Sequence, residues 1–309
     1  MIFNLFKKIN TIEVGVMSTS LLIKAQANEK LLLQATKIAQ DLETKLSAYQ
    51  STSEICQINQ NAGIKPVKCS ADTIEVLEIS LEIAKATEGK FDISIGALTQ
   101  GGYGFGTDHE KLLKPAEKKR LKSFVNYKDI EINKNEVYLK REGMALDVGG
   151  IGKGYAADKI IKFLKANKVK MALVSVGGEV HAYGKEWHLG VQNPRVNKLL
   201  AQLTSTKNDT LVTTSGDYER FIKDPSHNHI IQPKNAQSAN KFSSLTLISN
   251  SLDAARMDAL NTALFQMDEQ QMAELLKKYD LATLVVDKTG QYTLSKTFDA
   301  KLKSFTFLP

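Results

Sequence analysis

Cysteine is nearly absent from this chain: Cys56 and Cys69 are the only two in 309 residues, and they form no C-x-x-C. That count excludes a secreted disulfide framework and leaves nothing to suggest a zinc site, although a single Cys56–Cys69 bridge stays open. No uncharged apolar run approaches the roughly 18 residues that would suggest a spanning helix, so no stable membrane insertion is expected. The opening MIFNLFKKIN has two lysines but no apolar stretch before them, and no small-residue cleavage site follows. It does not read as a signal peptide, which implies a cytoplasmic protein, or a periplasmic one had a leader been removed. Internal repeats and disordered linkers are missing too.

What is present is ordinary for a globular protein: 42% apolar and 24% charged residues, with a formal charge of +7. Such a length can bury one large domain over 1–309, or two intimately packed lobes with a site between them. The positive balance favours anionic partners. Basic residues are scattered, with modest clusters at Lys7-Lys8 and Lys118-Lys119-Arg120, so no nucleic-acid stripe is evident and a small anion is the better expectation.

Residues 12–25 alternate and predict a strand, and Asn28 caps a predicted helix to about Ala48 with Leu31, Ala35, Ile38, Leu42 and Leu46 at helical spacing. Tyr49 at its end either finishes the core, the plainer expectation, or presents its ring to a ligand, and Gln50–Asn61 reads as a polar loop. Ser70 starts a second helix that Gly89 stops. The glycines of FDISIGALTQGGYGFG (91–106) exclude a sustained helix; aromatics among glycines suit a flat ligand or a plain bend. Residues 107–123 are charged and expected at the surface, and 124–140 as a hairpin around Asn133-Lys134-Asn135. Strands are predicted near 171–176, 187–191, 211–218, 245–248, 282–287 and 292–295. A helix capped by Ser249, Asn250 or Ser251 carries Asp258, and another covers 269–279. Helices and strands interleave without strict βαβ alternation, so the fold class is α+β.

The densest signal is ALDVGGIGKGYAAD, residues 145–158. An apolar run ends at Asp147, glycines follow at 149, 150, 152 and 154, and an amphipathic helix begins. A glycine-rich turn feeding a helix N-terminus is a standing anion site, and Lys153 adds a mobile charge. A tight turn with no ligand fits these residues equally well. The named phosphate loops do not: Gly154 follows Gly152-Lys153 where a Walker loop needs Ser or Thr, and Tyr155 stands where a dinucleotide fingerprint needs glycine.

Asp258 and Thr262, four apart, share a helix face roughly opposite Leu260 and Leu264. Such a pair can jointly hold Mg²⁺, a hard ion that prefers oxygen; a solvated polar face is the plainer alternative. His227 and His229 form H-x-H without a third ligand nearby, which makes a metal role weak and leaves His229 as an acid/base candidate. Ser215-Gly216-Asp217-Tyr218 is a polar turn suited to a site edge or a hairpin.

Taken together, MST at 17–19, LSAYQSTSEICQIN at 46–59, GKFDISIGAL then YGFG, DVGGIGKGYAAD, VGGEV at 176–180, TSGDYERF at 214–221, HIIQP at 229–233 and DALNTALF at 258–265 resemble the ApbE-type flavin transferases. The matches keep the family's order over about 250 residues. The resemblance implies a large mixed-sheet, T-fold-like α+β domain with packed helices. It also implies Mg²⁺-dependent transfer of FMN from FAD to a Ser or Thr hydroxyl of a target flavoprotein, releasing AMP. On that pattern Asp258, Thr262 and the Gly150 carbonyl hold Mg²⁺, and His229 is the general base. Met17, Tyr49, Gly101, Gly102, Tyr103, Asp147, Lys153 and Ile231 line the FAD site. Gln232 stands where the family usually has Asp, Asn235-Ala236 near its Thr-Gly, and Tyr103 where Trp is common. The alternatives are an FAD pyrophosphatase, with water in place of the acceptor, and a non-catalytic FAD-binding carrier.

Overall fold

Met17 and Ser18 interrupt the alternation of residues 12–25, with φ of 52° and 57°. In the computed structural model, which describes residues 8–309, they form the two-residue turn of a hairpin between Asn10–Val16 and Thr19–Ala25. The one strand expected there is therefore two, because both central residues take the left-handed backbone that a tight hairpin requires. Lys7 of the first basic cluster and the leader reading of residues 1–7 lie outside the described residues.

That hairpin begins an eight-stranded sheet whose spatial order is the chain order. It continues through Ala172–Val176, Glu179–Tyr183, Thr210–Gly216, Phe242–Ser249, Ala282–Asp287 and Tyr292–Leu294. Every neighbouring pair is antiparallel. The α+β class is as expected, built on a meander with long insertions. Helices Glu29–Leu46, Gly152–Ala166 and Ala254–Leu264 share the main apolar core with one face, through Leu21, Ile23, Val176, Leu245 and Leu247. The other face packs Leu173, Val212, Ile248 and Leu284 against a three-stranded sheet of His188–Gln192, Leu199–Thr204 and Ser304–Phe307. Cover on both faces explains why Phe242–Ser249 is buried at every position and shows no alternation.

Several local expectations are corrected. The polar loop 50–61 contains a helix, Glu54–Gln60, whose N-cap Ser53 accepts from the Cys56 N–H. Gly96–Leu98 is helical and runs into a wide turn at Thr99–Tyr103, which ends at Gly104 with φ 67°. Helical turns form there because Gly96 is packed against the Ala145–Leu146 backbone and Gly102 against Leu113 and Leu121, which overrides their low helix propensity. The charged stretch carries a short helix, Pro115–Lys122. Hairpin 124–140 is present as Ile130–Asn133 and Glu136–Leu139, turning at Lys134. Cys56 and Cys69 are both free thiols. Among the described residues no helix is long and apolar enough to cross a membrane.

The cap of Ala254–Leu264 is Asp253, which accepts from the Arg256 N–H, and not a residue of 249–251. The Ser249 hydroxyl instead accepts from Ser251 and Leu252, closing the strand end. The next two free N–H groups of that helix, on Ala254 and Ala255, donate to Asp158 at 3.0 and 2.9 Å. Asp158 belongs to Gly152–Ala166, and the favour is returned: the Gly154 N–H donates to Asp258 at 3.1 Å. The two helices thus cap each other.

This exchange requires near contact of backbones. A Cβ on Gly154 would stand 2.1 Å from the Ala254 carbonyl oxygen, whereas one on Gly152 would meet nothing within 4 Å. Gly154→Ala is therefore expected to destabilise the fold by about 2–3 kcal/mol, and Gly152→Ala to stay within about 0.5 kcal/mol. Chemical denaturation of the two variants side by side measures the difference; equal stability would mean the helices are not in backbone contact.

Candidate active site

The chain enters the glycine bend under tight restraint. Asn59 grips Leu146 by both backbone groups, accepting its N–H at 2.7 Å and donating to its carbonyl at 3.0 Å. One residue on, the Asp147 N–H donates to Ile93 O at 2.7 Å. The Asp147 carboxylate accepts from the Gly149 N–H at 2.9 Å and from the Thr99 hydroxyl at 2.6 Å, so it closes the bend while joining it to the wide turn. Gly150 is needed here for close approach, since its Cβ would lie 2.9 Å from Thr262 Oγ1. The bend and the Asp258/Thr262 helix meet at this point.

Asp258 does not sit on a solvated face: it is 2% exposed. Its Oδ2 takes the Gly154 N–H and lies 3.5 Å from Lys153 Nζ, which donates to the Gly149 carbonyl at 3.0 Å. Lys153 is accordingly a held cation and not a mobile one. Burial pushes the Asp258 carboxyl above its ordinary range, and the Lys153 charge opposes that push. Glu179, also buried, is raised well above its ordinary value by burial and by the Asp258 charge. Burial alone would pull the Lys153 ammonium down; Asp258 and Glu179 together keep it above the ordinary lysine value. Glu219 is raised by burial and eased by Lys153. Three carboxylates thus act on one ammonium at a helix N-terminus, Asp258 and Glu179 from buried positions and Glu219 from an exposed one.

His229 belongs to the same neighbourhood, where the charges of Arg220, Lys153 and Asp147 act on it. Its Nδ1 lies 3.1 Å from the Arg220 carbonyl oxygen. A carbonyl can only accept, so Nδ1 carries the proton and Nε2 presents a lone pair. Burial, reinforced by the Arg220 and Lys153 cations, pushes the imidazole down to about 4. His229 is a neutral base at physiological pH.

The other expected residues separate into rim and support. Tyr49, predicted in the core, is 49% exposed and donates to Phe105 O at 3.0 Å. It finishes its helix outside the packed layer, facing Arg220 and Asp147. Met17 holds its strained turn by donating its N–H to Glu43 at 2.8 Å. Gly101 is exposed, but a Cβ on Gly102 would strike Leu121 and Leu113 at 2.7 and 2.9 Å, so Gly102 serves packing. Tyr103 and Ile231 are buried in an apolar cluster with Leu98 and Phe105. Tyr103 stacks on Phe105 and donates to Ala236 O at 2.8 Å, so its ring buttresses the 232–236 loop where a ligand-facing ring was expected. That loop closes on itself: Asn235 donates to the Gln232 side chain, and Ala236 takes φ 56°. Sequence reasoning gave no role to Asn59, Glu179 or Arg220, although all three fall inside the quoted motifs; nothing local marks them as site residues.

Among the described residues no three or more His, Cys, Asp or Glu side chains are grouped as a metal site. One buried carboxylate, a neighbouring hydroxyl and a backbone approached without a Cβ form instead the sparse oxygen set that suits Mg²⁺, which keeps waters and takes substrate phosphates. Both protein contacts of Asp258 fall on Oδ2, and among the described residues Oδ1 has no hydrogen-bonding partner.

Residues 16–285 match the model of the ApbE family. An FAD:protein FMN transferase of Klebsiella pneumoniae is 27% identical over 288 residues, covering 91% of this chain and 90% of that protein. One from Treponema pallidum is 29% identical over 266 residues, covering 78% of this chain and 72% of its own. A solved ApbE protein of Thermotoga maritima superposes with a TM-score of 0.87 at 24% identity, over 96% of this chain and 100% of that one. The Vibrio cholerae flavin transferase ApbE gives 0.83 at 21% identity, over 96% and 99%. With residues 16–285 inside the family model and its fold shared over 96% of its length, the chain belongs to the ApbE family.

Proposed function

We propose that this protein is an Mg²⁺-dependent FAD:protein FMN transferase. The observation that supports the reading is the meeting of Thr262 with Gly150 and of Asp258 with Lys153 and Gly154, which sets two oxygen-bearing side chains against a glycine-rich helix start, a geometry suited to anions. The names of the relatives supply the substrate class. Asp258, Thr262 and the Gly150 carbonyl would hold the ion. When bound, it neutralises pyrophosphate charge and polarises the transferring phosphoryl group, worth several kcal/mol of barrier.

The chain's own groups do the rest. Lys153 and the free N–H groups of the bend receive the diphosphate of FAD. Met17, Tyr49, Gly101 and Asp147 form the rim that holds the dinucleotide, with Gly102, Tyr103 and Ile231 supporting it from behind. A Ser or Thr hydroxyl of the acceptor attacks the FMN phosphorus. Its oxygen forms the new phosphoester bond, the bond to the AMP phosphate breaks, and the hydroxyl proton passes to His229 Nε2. A positioned base of this kind contributes about 10²–10⁴-fold.

Incubation with FAD, Mg²⁺ and a flavoprotein acceptor, read by mass spectrometry of the acceptor and chromatography of AMP, tests the proposal. AMP release without any flavin on the acceptor would make the protein an FAD pyrophosphatase. FAD binding with no AMP under any divalent ion would make it a carrier.

Asp258→Asn is expected to keep the fold and lower transfer by at least about 10²-fold. Asp258→Ala also strips an acceptor from Gly154 and Lys153 and should lose about 1–3 kcal/mol of stability. Unchanged melting of the alanine variant would contradict the burial described above. The acid limb of kcat/KM should fall at about 4, the position of His229 in the fold, and not at the ordinary 6.5. Stability follows the same sign. A histidine whose folded value lies below its unfolded value contributes fully above 6.5, and that contribution is lost as pH falls toward 4. A His229→Gln profile that retains the acid limb would remove His229 from the role of base.

A further inference from the structure

Two grooves flank the loop that follows His229. The larger, about 530 Å³, is lined by Lys85, Lys90, Lys122, Lys128 and Lys234 together with Gln232 and Pro233. The smaller, about 350 Å³, is lined by Lys118, Lys119 and again Lys122, with Asn235 and Gln237 on its other side. Residues 232–237 therefore form a ridge between two basic hollows that share Lys122. The same ridge begins three residues after His229 and is propped from below by the Tyr103 hydroxyl on Ala236 O.

The charge here is uncompensated. None of Lys85, Lys90, Lys122 and Lys234 has an ion-pair partner among the described residues. Of the two carboxylates lining the larger groove, Asp92 is buried and turned inward, accepting from Ser94 and from the Tyr127 N–H. Only Glu88 faces the groove exposed. No carboxylate lines the smaller groove.

We propose that this doubled basic groove docks an acidic segment of the protein that accepts the flavin, and so delivers its hydroxyl to His229. The inference rests on the transferase reading for the identity of the partner as an acceptor; the charge and the placement are features of the surface itself. Hollows of about 350 and 530 Å³ on the two sides of the ridge have room for individual Asp and Glu side chains of such a segment. A nucleic acid finds only one aromatic ring lining the grooves, Tyr127, and no row of rings on which successive bases could stack. Complementary charge raises the encounter rate and suppresses wrong partners, and it is screened by salt over a Debye length of about 8 Å at physiological ionic strength.

The test uses the full chain and a fluorescein-labelled peptide rich in Asp and Glu with a single Thr, beside its Asn/Gln isostere. Anisotropy should show binding of the acidic peptide that weakens with salt. The combined Lys85→Glu, Lys122→Glu and Lys234→Glu variant should bind it on the order of tenfold more weakly or worse, while the FAD-induced thermal shift stays unchanged. Equal binding of the isostere, equal binding by the variant, or tighter binding of duplex DNA or of phosphatidylserine vesicles would overturn the proposal. Transfer separates the two readings. Docking of the acidic peptide without flavin ever reaching a Thr would support the surface and sink the transferase assignment. Flavin reaching the isostere as fast as the acidic peptide would sink the surface alone.

Discussion

Asp158 and Asp258 stand on neighbouring helices, and each accepts hydrogen bonds from the first turn of the helix that carries the other. A helix start leaves its first N–H groups without partners, and its dipole welcomes negative charge there. For the Gly152–Ala166 helix the need is acute, because its N-cap position is Ile151, which has no side-chain oxygen. The carboxylate that answers it comes from 104 residues downstream. A buried carboxylate is costly unless hydrogen-bonded and paired, and Asp258 is both, through Gly154 and Lys153. The geometry of the site follows from that constraint: wherever the glycine bend goes, Asp258 must lie against it.

The meander serves this contact. Because the eight strands are ordered in space as in sequence, segments far apart in the chain reach the same sheet face only through the insertions. The helices that bring Asp158 and Asp258 together join the sheet at the same end: one leads into Ala172, where its strand begins, and the other leaves Ser249, where its strand finishes, and the pairing of the two strands between them puts both residues on that end. Asn59 and Asp147 pin the entry to the bend by backbone contacts, so the first turn of the helix is fixed before any ligand arrives. Preorganised donors of this kind act without rearrangement when phosphate charge develops.

The loop after His229 is held by its own side chains and by a ring beneath it. Gln232 and Asn235 bond to each other, and Ala236 accepts a left-handed backbone that glycine would adopt more readily. Tyr103, packed on Phe105, holds this loop from beneath. His229 keeps its tautomer through a backbone carbonyl and depends on none of these side chains.

Periodicity and turn chemistry in the sequence determined the α+β class, the long helices, the hairpin at Lys134 and the importance of the glycine bend, because each is written in residues a few positions apart. The motif order was enough to suggest the family and to single out Asp258, Thr262, Lys153 and His229. Burial was a different matter. The spacing of Asp258 and Thr262 is equally that of a solvated face, and Tyr49 and Tyr103 exchange the exposures expected of them. Local pattern carries no information about which helix face meets another element, how closely two backbones approach, or whose carboxylate satisfies an orphan N–H. Those were decided only when the sheet brought Gly154 against Ala254 and Gly150 against Thr262, since contacts between distant segments are set by packing and not by neighbours in sequence.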